Sequence, residues 1–230
     1  MDSWYSLAGD GLRWLYDRRI SAPPILNAAA KFPASAEFVA AWEGLRDEAL
    51  SVAERLHEVP RFHEVMKQQE EISANDGRDW RTFVIKAYGA NIARNLSRCP
   101  VLAELLERHP EVVSATFSYL APGKHIPLHR GPFRGVLRFH LGLSMPRDDK
   151  GDLGATLWIN GVPYLLANGD CLLWDDTYPH EVLNATNDVR IALLLDVLRP
   201  GMPSDMKLLS SLVISAIGTM ARFKPGAFAG

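Results

Sequence analysis

A mainly β fold with helices at both ends is what this sequence predicts, and three observations carry it. Between Val113 and Val197 the chain breaks into short runs rich in branched and aromatic residues. Turn-forming groups separate the runs, among them Ala121-Pro122-Gly123, Asn160-Gly161, Asn168-Gly169-Asp170 and Asn187-Asp188. On either side of this region the apolar residues recur at helical three- and four-residue steps instead. Strands at that cadence, joined by Asn-Gly-type turns that accept positive φ, make a sandwich, a jelly roll or a barrel.

Taken in order, the first 34 residues hold Trp4, Trp14 and the Pro23-Pro24 pair and show no assignable period. Phe38, Trp42, Leu45, Ala49, Val52 and Leu56 then predict an amphipathic helix from about Ser35 to Val59. Pro60 suits the first position of a second helix, through Phe62, Val65 and Met66 towards Ile72. Asn75-Asp76-Gly77 marks a loop over Ser73 to Asp79, and Pro100 to Arg108 a short helix that stops before Pro110. The patterns are read as helical up to about Glu111. The β runs follow: Val113–Leu120, Gly135–Met145, Ala155–Ile159, Tyr164–Ala167, Cys171–Asp175, Glu181–Asn184 and Arg190–Val197. A last helix places Leu209, Leu212, Val213, Ala216, Ile217 and Met220 on one face, and Ser210, Ser211, Ser215 and Thr219 on the other.

Composition bounds the function classes. The chain has 230 residues, 47% hydrophobic and 23% charged, and its 25 basic and 27 acidic side chains leave a net charge of -2. One globular domain fits that length, and a disordered or collagen-like chain does not fit that composition. A general nucleic-acid binder carries a basic excess that is missing here. Cys99 and Cys171 lack a CxxC spacing and cannot make a disulfide framework, so two reduced thiols in a reducing, cytoplasmic compartment are expected. No secretory signal is read at the N-terminus. No stretch reaches the ~18 apolar residues of a membrane span.

The histidines carry the chemistry. Four of the seven lie from His125 to His180, inside the β region. His129 stands in Pro127-Leu128-His129-Arg130-Gly131-Pro132, and His180 in Asp175-Asp176-Thr177-Tyr178-Pro179-His180-Glu181-Val182. An isolated β-region histidine is most often a hydrogen-bonded core or surface residue. Two imidazoles at one barrel mouth can instead bind a first-row metal such as Fe(II). Arg138 and Arg190 sit inside apolar strand sequence, where a guanidinium needs an anion. That anion is either an internal carboxylate (Asp175, Asp176 or Asp196) or a ligand carboxylate, which an arginine fork suits. Strand alternation puts Arg138 and His140 on one face.

At these residues the sequence resembles the aspartyl/asparaginyl β-hydroxylases. The segments that carry the resemblance are Phe117-Ser118-Tyr119-Leu120-Ala121-Pro122-Gly123, His129-Arg130-Gly131-Pro132, Leu137-Arg138-Phe139-His140-Leu141-Gly142-Leu143, Asp175 through Val182, and Arg190 through Pro200. Trp80, Tyr88-Gly89 and Cys99-Pro100 extend it upstream more weakly. It covers roughly residues 60 to 200 and implies an oxygenase domain there, with a helical extension over 1–59 and a helical tail over 201–230, in one structural domain overall. The fold it implies is a double-stranded β-helix (jelly roll, cupin-like), with N-terminal helices packed on it and a C-terminal helix.

The family is one of Fe(II)- and 2-oxoglutarate-dependent dioxygenases, so the resemblance implies three cofactor components: Fe(II), 2-oxoglutarate as cosubstrate, and O2. His129 and His180 resemble its iron-binding and catalytic histidines. Arg190 matches the arginine on the distal carboxylate of 2-oxoglutarate, Ser118 a serine that assists it, and Arg138 with His140 the pair at the other carboxylate. The usual facial triad adds a carboxylate two residues after the first histidine. Gly131 stands there, as in the family, and leaves a metal position open. Asp175 and Asp176 are expected to hydrogen-bond the histidines or their loop rather than the metal.

The implied reaction hydroxylates an unactivated C–H bond, on the family precedent the β-carbon of an aspartyl, asparaginyl or related amino-acid-type substrate, free or bound to a peptide or carrier. Two rivals remain: a halogenase using the open position at Gly131, and a non-catalytic β-helix binding module. Arg130 and Arg134 are either contacts for a substrate carboxylate or solvated loop charges. The C-terminal helix is expected to pack on the domain or to join two copies as a homodimer, its polar face lacking the lysine and arginine of an anionic-lipid helix.

Overall fold

The structure is a computed structural model that describes residues 3–223, with side chains described from residue 11 to residue 219. Helix α1 (Ser3–Arg19) comes first, followed by the short strand β1 (Ile25–Leu26) and the helices α2 (Ala28–Lys31), α3 (Ser35–Ala40) and α4 (Trp42–Ala53). After them come α5 (Phe62–Val65), α6 (Glu70–Ser73), strands β2 (Trp80–Ala87) and β3 (Ala90–Asn91), and helices α7 (Ala93–Leu96) and α8 (Pro100–Arg108). The main β region runs through β4 (Val112–Leu120), β5 (His125–His129), β6 (Val136–Ser144), β7 (Ala155–Ile159) and β8 (Val162–Leu165). It ends with β9 (Cys171–Trp174), β10 (His180–Asn184) and β11 (Arg190–Leu198), and α9 (Ser204–Phe223) closes the described chain.

The expected helix over Ser35 to Val59 is interrupted. It stops at Ala41, restarts as α4, and ends in a 3-10 turn at Leu56–Glu58. The break lets Phe38 reach Phe32 and Phe139, with ring centroids at 5.7 and 6.2 Å, which a 3.6-residue period cannot reveal. The expected helix from Pro60 to Ile72 is replaced by α5, a 3-10 turn at Lys67–Gln69 and α6. Pro60 lies outside any helix, and its carbonyl accepts from Thr82 N at 3.0 Å. Four strands that the sequence reading passed over are β1, β2, β3 and β5. The Thr82-Phe83-Val84-Ile85 run of β2 carries strand chemistry, so the region before Glu111 is not helical throughout.

From β4 to β11 the chain alternates between two antiparallel sheets, one ordered β1-β9-β6-β11-β4-β2-β3 and the other β5-β10-β7-β8. Their facing residues share one apolar cluster that includes Leu120, Ile126, Ile159, Trp174 and Val182. That connectivity is the double-stranded β-helix.

Alternation gives the larger sheet two unlike faces. Outward, Phe83, Phe117, Phe139, Leu141 and Leu193 form the main core beneath α4 and α8. The Tyr119 hydroxyl donates to Ala49 O at 2.8 Å and fastens α4 there. Inward, the same strands present Thr82, Ser118, Arg138, His140, Trp174, Arg190 and Asp196, all but Arg138 buried. Lys124, 0% exposed, donates from Nζ to Ser73 O, Asn75 Oδ1 and Asp76 Oδ1, each at 2.7 Å, and pins the expected 73–79 loop across the end of the β-helix.

Candidate active site

His129 ends β5 and His180 begins β10, and the two face each other as a cross-strand pair beside a register shift. Their ring centroids lie 4.0 Å apart. Each Nδ1 faces the backbone carbonyl two residues upstream, His129 towards Pro127 O at 2.8 Å and His180 towards Tyr178 O at 2.9 Å. A carbonyl only accepts, so each Nδ1 donates, and in the neutral ring Nε2 keeps its lone pair. Two imidazoles locked in that tautomer have the outer support of metal-binding histidines. Among the described residues no further His, Cys, Asp or Glu joins them in a group of three able to hold a metal. The donor set fits a first-row ion such as Fe(II) through two protein ligands, with the other coordination positions left to small ligands.

Across the pocket, Arg190 is 3% exposed and shares its NH2 group with His140 Nε2, while its Nε has no hydrogen-bond partner among the described residues. Burial lowers the Arg190 guanidinium to about 10, because no carboxylate is close enough to offset it. His140 Nδ1 is likewise buried without a partner. Ser118 accepts from Trp80 Nε1 at 3.0 Å, and the Trp80 ring stacks on Phe62 at 3.7 Å. Buried donors left open cost about 1–3 kcal/mol each, so this end of the pocket is built for an anion with hydrogen-bond acceptors.

Arg138 is placed differently. Its Nε donates to Asp196 Oδ1 at 2.7 Å and its NH2 to Asp176 Oδ2 at 3.0 Å. Both carboxylates raise its pKa. It is therefore engaged by internal carboxylates, whereas Arg190 is not. Arg134 is neither solvated nor facing the mouth. It is 9% exposed and pairs with Asp17 at 2.5 Å and Asp175 at 3.2 Å. Arg130 is exposed beside His129.

Neither aspartate bonds a histidine. Asp175 accepts from Arg199 at 2.5 Å and from the Thr177 hydroxyl at 2.6 Å, which fixes the turn before His180. Asp176 stands beside Gly131, and a Cβ on Gly131 would lie 2.4 Å from Asp176 Oδ1. The space beside the Gly131 backbone is thus taken up by the Asp176 side chain. Burial pushes the Asp176 carboxyl up to about 6, against the opposing Arg138 charge. Gly131→Ala is expected to cost about 1–3 kcal/mol through overpacking. In an Asp176→Ala background most of that cost should vanish. A thermodynamic cycle on the four proteins checks it, and equal costs in both backgrounds would refute the steric account.

Burial lowers the pKa of His129, His140 and His180, the latter two well below 6.5, and the Arg190 charge adds to the effect on His140. A group with a depressed folded pKa leaves stability intact above its unfolded pKa. Stability is then lost as pH falls and the unfolded chain alone takes up the proton. Asp176 acts in the opposite sense, because its folded pKa is raised and the folded protein binds its proton first. Three histidines against one aspartate make the metal-free protein less stable from about pH 6.5 downward. Urea midpoints between pH 7.5 and 5 measure this, and His140→Asn should flatten the slope.

The sequence reading missed Thr82 and Trp174. Thr82 Oγ1 and Trp174 Nε1 are buried in the pocket with no partner among the described residues, and the Trp174 ring meets His180 edge-on at 4.7 Å. Alternation back from Asp175 gives Trp174 a face. Which face turns inward follows only from its pairing with Arg138 on β6.

The family model described as "Aspartyl/Asparaginyl beta-hydroxylase" matches residues 39–200. An ornithine lipid ester-linked acyl 2-hydroxylase from Rhizobium tropici is 34% identical over 183 residues, 79% of this chain and 63% of that protein. The human aspartyl/asparaginyl beta-hydroxylase is 26% identical over 164 residues, 69% of this chain and 20% of that protein. The human aspartate beta-hydroxylase domain-containing protein 2 is 31% identical over 131 residues, 53% of this chain and 34% of that protein. The chain spans less than two thirds of each relative's length.

Proposed function

The chain belongs to the aspartyl/asparaginyl β-hydroxylase family, and from that premise we propose that it is an Fe(II)- and 2-oxoglutarate-dependent dioxygenase that hydroxylates an unactivated C–H bond. The observation that carries the reading is the pairing of two unlike sites across one pocket. Two imidazoles whose Nδ1 atoms are held by backbone carbonyls stand on one side, and on the other a buried arginine without a carboxylate partner among the described residues.

The residues divide the work. His129 and His180 would hold Fe(II) through Nε2. Arg190 and Ser118 bind the distal carboxylate of 2-oxoglutarate, and His140 orients the guanidinium. Trp174 and Thr82 offer further N–H and O–H donors to the bound anion. Arg138 reaches the other carboxylate only while sharing its charge with Asp176 and Asp196, so it orients more than it binds. The apolar residues between the sheets exclude water. When bound, the iron supplies the oxidising power that couples decarboxylation of 2-oxoglutarate by O2 to insertion of one oxygen atom into a C–H bond.

A chloride beside Gly131 would meet the Asp176 carboxylate, which supports hydroxylation over halogenation. The survival of Arg190 as a buried cation supports turnover over a passive binding module. On the family precedent the substrate is an amino-acid-type molecule oxidised at its β-carbon, with the exposed Arg130 beside His129 to read a carboxylate. The Rhizobium tropici relative favours a second substrate, the acyl chain of an amino-acid lipid. We place the protein in the reducing cytoplasm. Cys99 and Cys171 are free, and burial pushes the Cys99 thiol up to about 12, away from reactivity.

Succinate release with added Fe(II), across amino acids, peptides, acyl amino acids and amino-acid lipids, tests the reading. Stimulation by at least one of these classes is expected, with a product heavier by one oxygen. A chlorinated product in the presence of chloride would overturn hydroxylation in favour of halogenation.

A further inference from the structure

Two helices outside the β-helix lie side by side next to the site. α1 and α9 are joined by the Arg19–Asp205 pair at 2.8 Å and by Tyr16 Oη to Ser210 Oγ at 2.6 Å. The order of these contacts makes them antiparallel, with Leu12, Leu209 and Val213 packed against the cluster they share. Ser210 is therefore buried, against the expected polar face, and the side chain of Met220 lies outside the described residues. One step outward on each helical wheel lie Leu15 on α1, and Leu208 and Leu212 on α9. These are 36%, 64% and 60% exposed.

The opposite edge of α1 rests on the chain that carries His129. Asp17 pairs with Arg134, and Arg13 NH1 donates to Gly131 O at 3.4 Å. Between the two edges Trp14 is 58% exposed, with the Arg18 guanidinium 4.3 Å over its ring. Past that edge Leu128, 64% exposed, and the exposed Arg130 flank His129. Of the acids on α1 and α9 whose side chains are described, Asp17 and Asp205, each is taken up by an arginine. Arg18 and Arg130 have no carboxylate partner among the described residues. Among the described side chains the face is thus apolar, with Arg18 and Arg130 as its unpaired charges.

We propose that this face seats the protein on an anionic bilayer surface, with the mouth of the site at its edge. An indole stacked with a guanidinium among exposed leucines suits the headgroup boundary, where apolar bodies enter and cations stay wet. A second copy of this chain suits it less, because a two-fold contact brings each patch, with its unpaired arginines, onto itself. No helix among the described residues is long and apolar enough to cross a membrane, so the contact is with the surface. The proposal stands whichever substrate the site takes.

The test is co-sedimentation of the full chain with large unilamellar vesicles of phosphatidylcholine, with and without phosphatidylglycerol. Binding is expected with phosphatidylglycerol, weakening as salt is raised. Leu208→Ser combined with Leu212→Ser should lower the partition coefficient roughly tenfold or more, and Arg18→Glu should lower it further. All these side chains are exposed, so the melting temperatures should not move. Absence of wild-type binding, or equal binding by the leucine variant, would overturn the proposal. So would a dimer in sedimentation velocity that the leucine variant dissociates. Vesicle binding is read without turnover, so a failed hydroxylase assay and a failed bilayer assay are separate results.

Discussion

His129→Ala is expected to abolish succinate formation. The loss should go well beyond the roughly 10–100-fold that follows removal of a hydrogen-bonding partner from a metal-binding histidine. Among the described residues only these two imidazoles face the proposed metal position, so removing one would take half of its proposed protein ligands. The variant should still fold. His129 is only partly buried at a strand end, and its Nδ1 bonds locally, to Pro127 O at 2.8 Å. Thermal melts of the metal-free variant and wild type should therefore nearly coincide while turnover differs. Wild-type turnover in this variant would refute the metal assignment.

Arg190→Met is the second large effect, and it separates binding from stability. Losing a buried, hydrogen-bonded charge partner costs about 2–5 kcal/mol of binding. The 2-oxoglutarate requirement should therefore rise on the order of 10²–10³-fold. In the ligand-free protein the change is different in kind. Arg190 is buried, with no carboxylate partner among the described residues, and burial already lowers its pKa to about 10. Replacing an uncompensated buried charge by an apolar side chain of similar length is neutral or stabilising. The variant should melt no lower than wild type without ligand and gain no stability from added 2-oxoglutarate. A marked fall in melting temperature with unchanged cosubstrate affinity would make Arg190 a structural residue.

The site was more legible in the sequence than the helices were. Strand alternation and turn chemistry gave β4, β6, β9 and β11 nearly at their observed limits, because buried strands between Asn-Gly-type turns have little freedom. The resemblance singled out His129 and His180, and the structure brings them together. The N-terminal helices were harder to read. The spacing of Phe38, Trp42 and Leu45 fits one continuous helix as well as two, and only contact with Phe32 and Phe139 decides between them. β2 was overlooked because it stands alone between helical segments, and Thr82 was overlooked with it. Ion pairing was the part the sequence could not resolve. Arg138 and Arg190 look alike among apolar neighbours, yet one lies between Asp176 and Asp196 and the other meets His140. That difference depends on which residues meet across β6, β9 and β11, and pairing register is a property of the folded sheet.

Anaerobic addition of Fe(II) and 2-oxoglutarate to the metal-free protein, followed by visible absorption, tests the central claim most directly. The cosubstrate bound to iron at His129 and His180 should give a charge-transfer band that needs both components and saturates at one equivalent of each. The band should be absent in His129→Ala and require far more 2-oxoglutarate in Arg190→Met. No band in the wild-type protein, or an equal band in His129→Ala, would contradict the account.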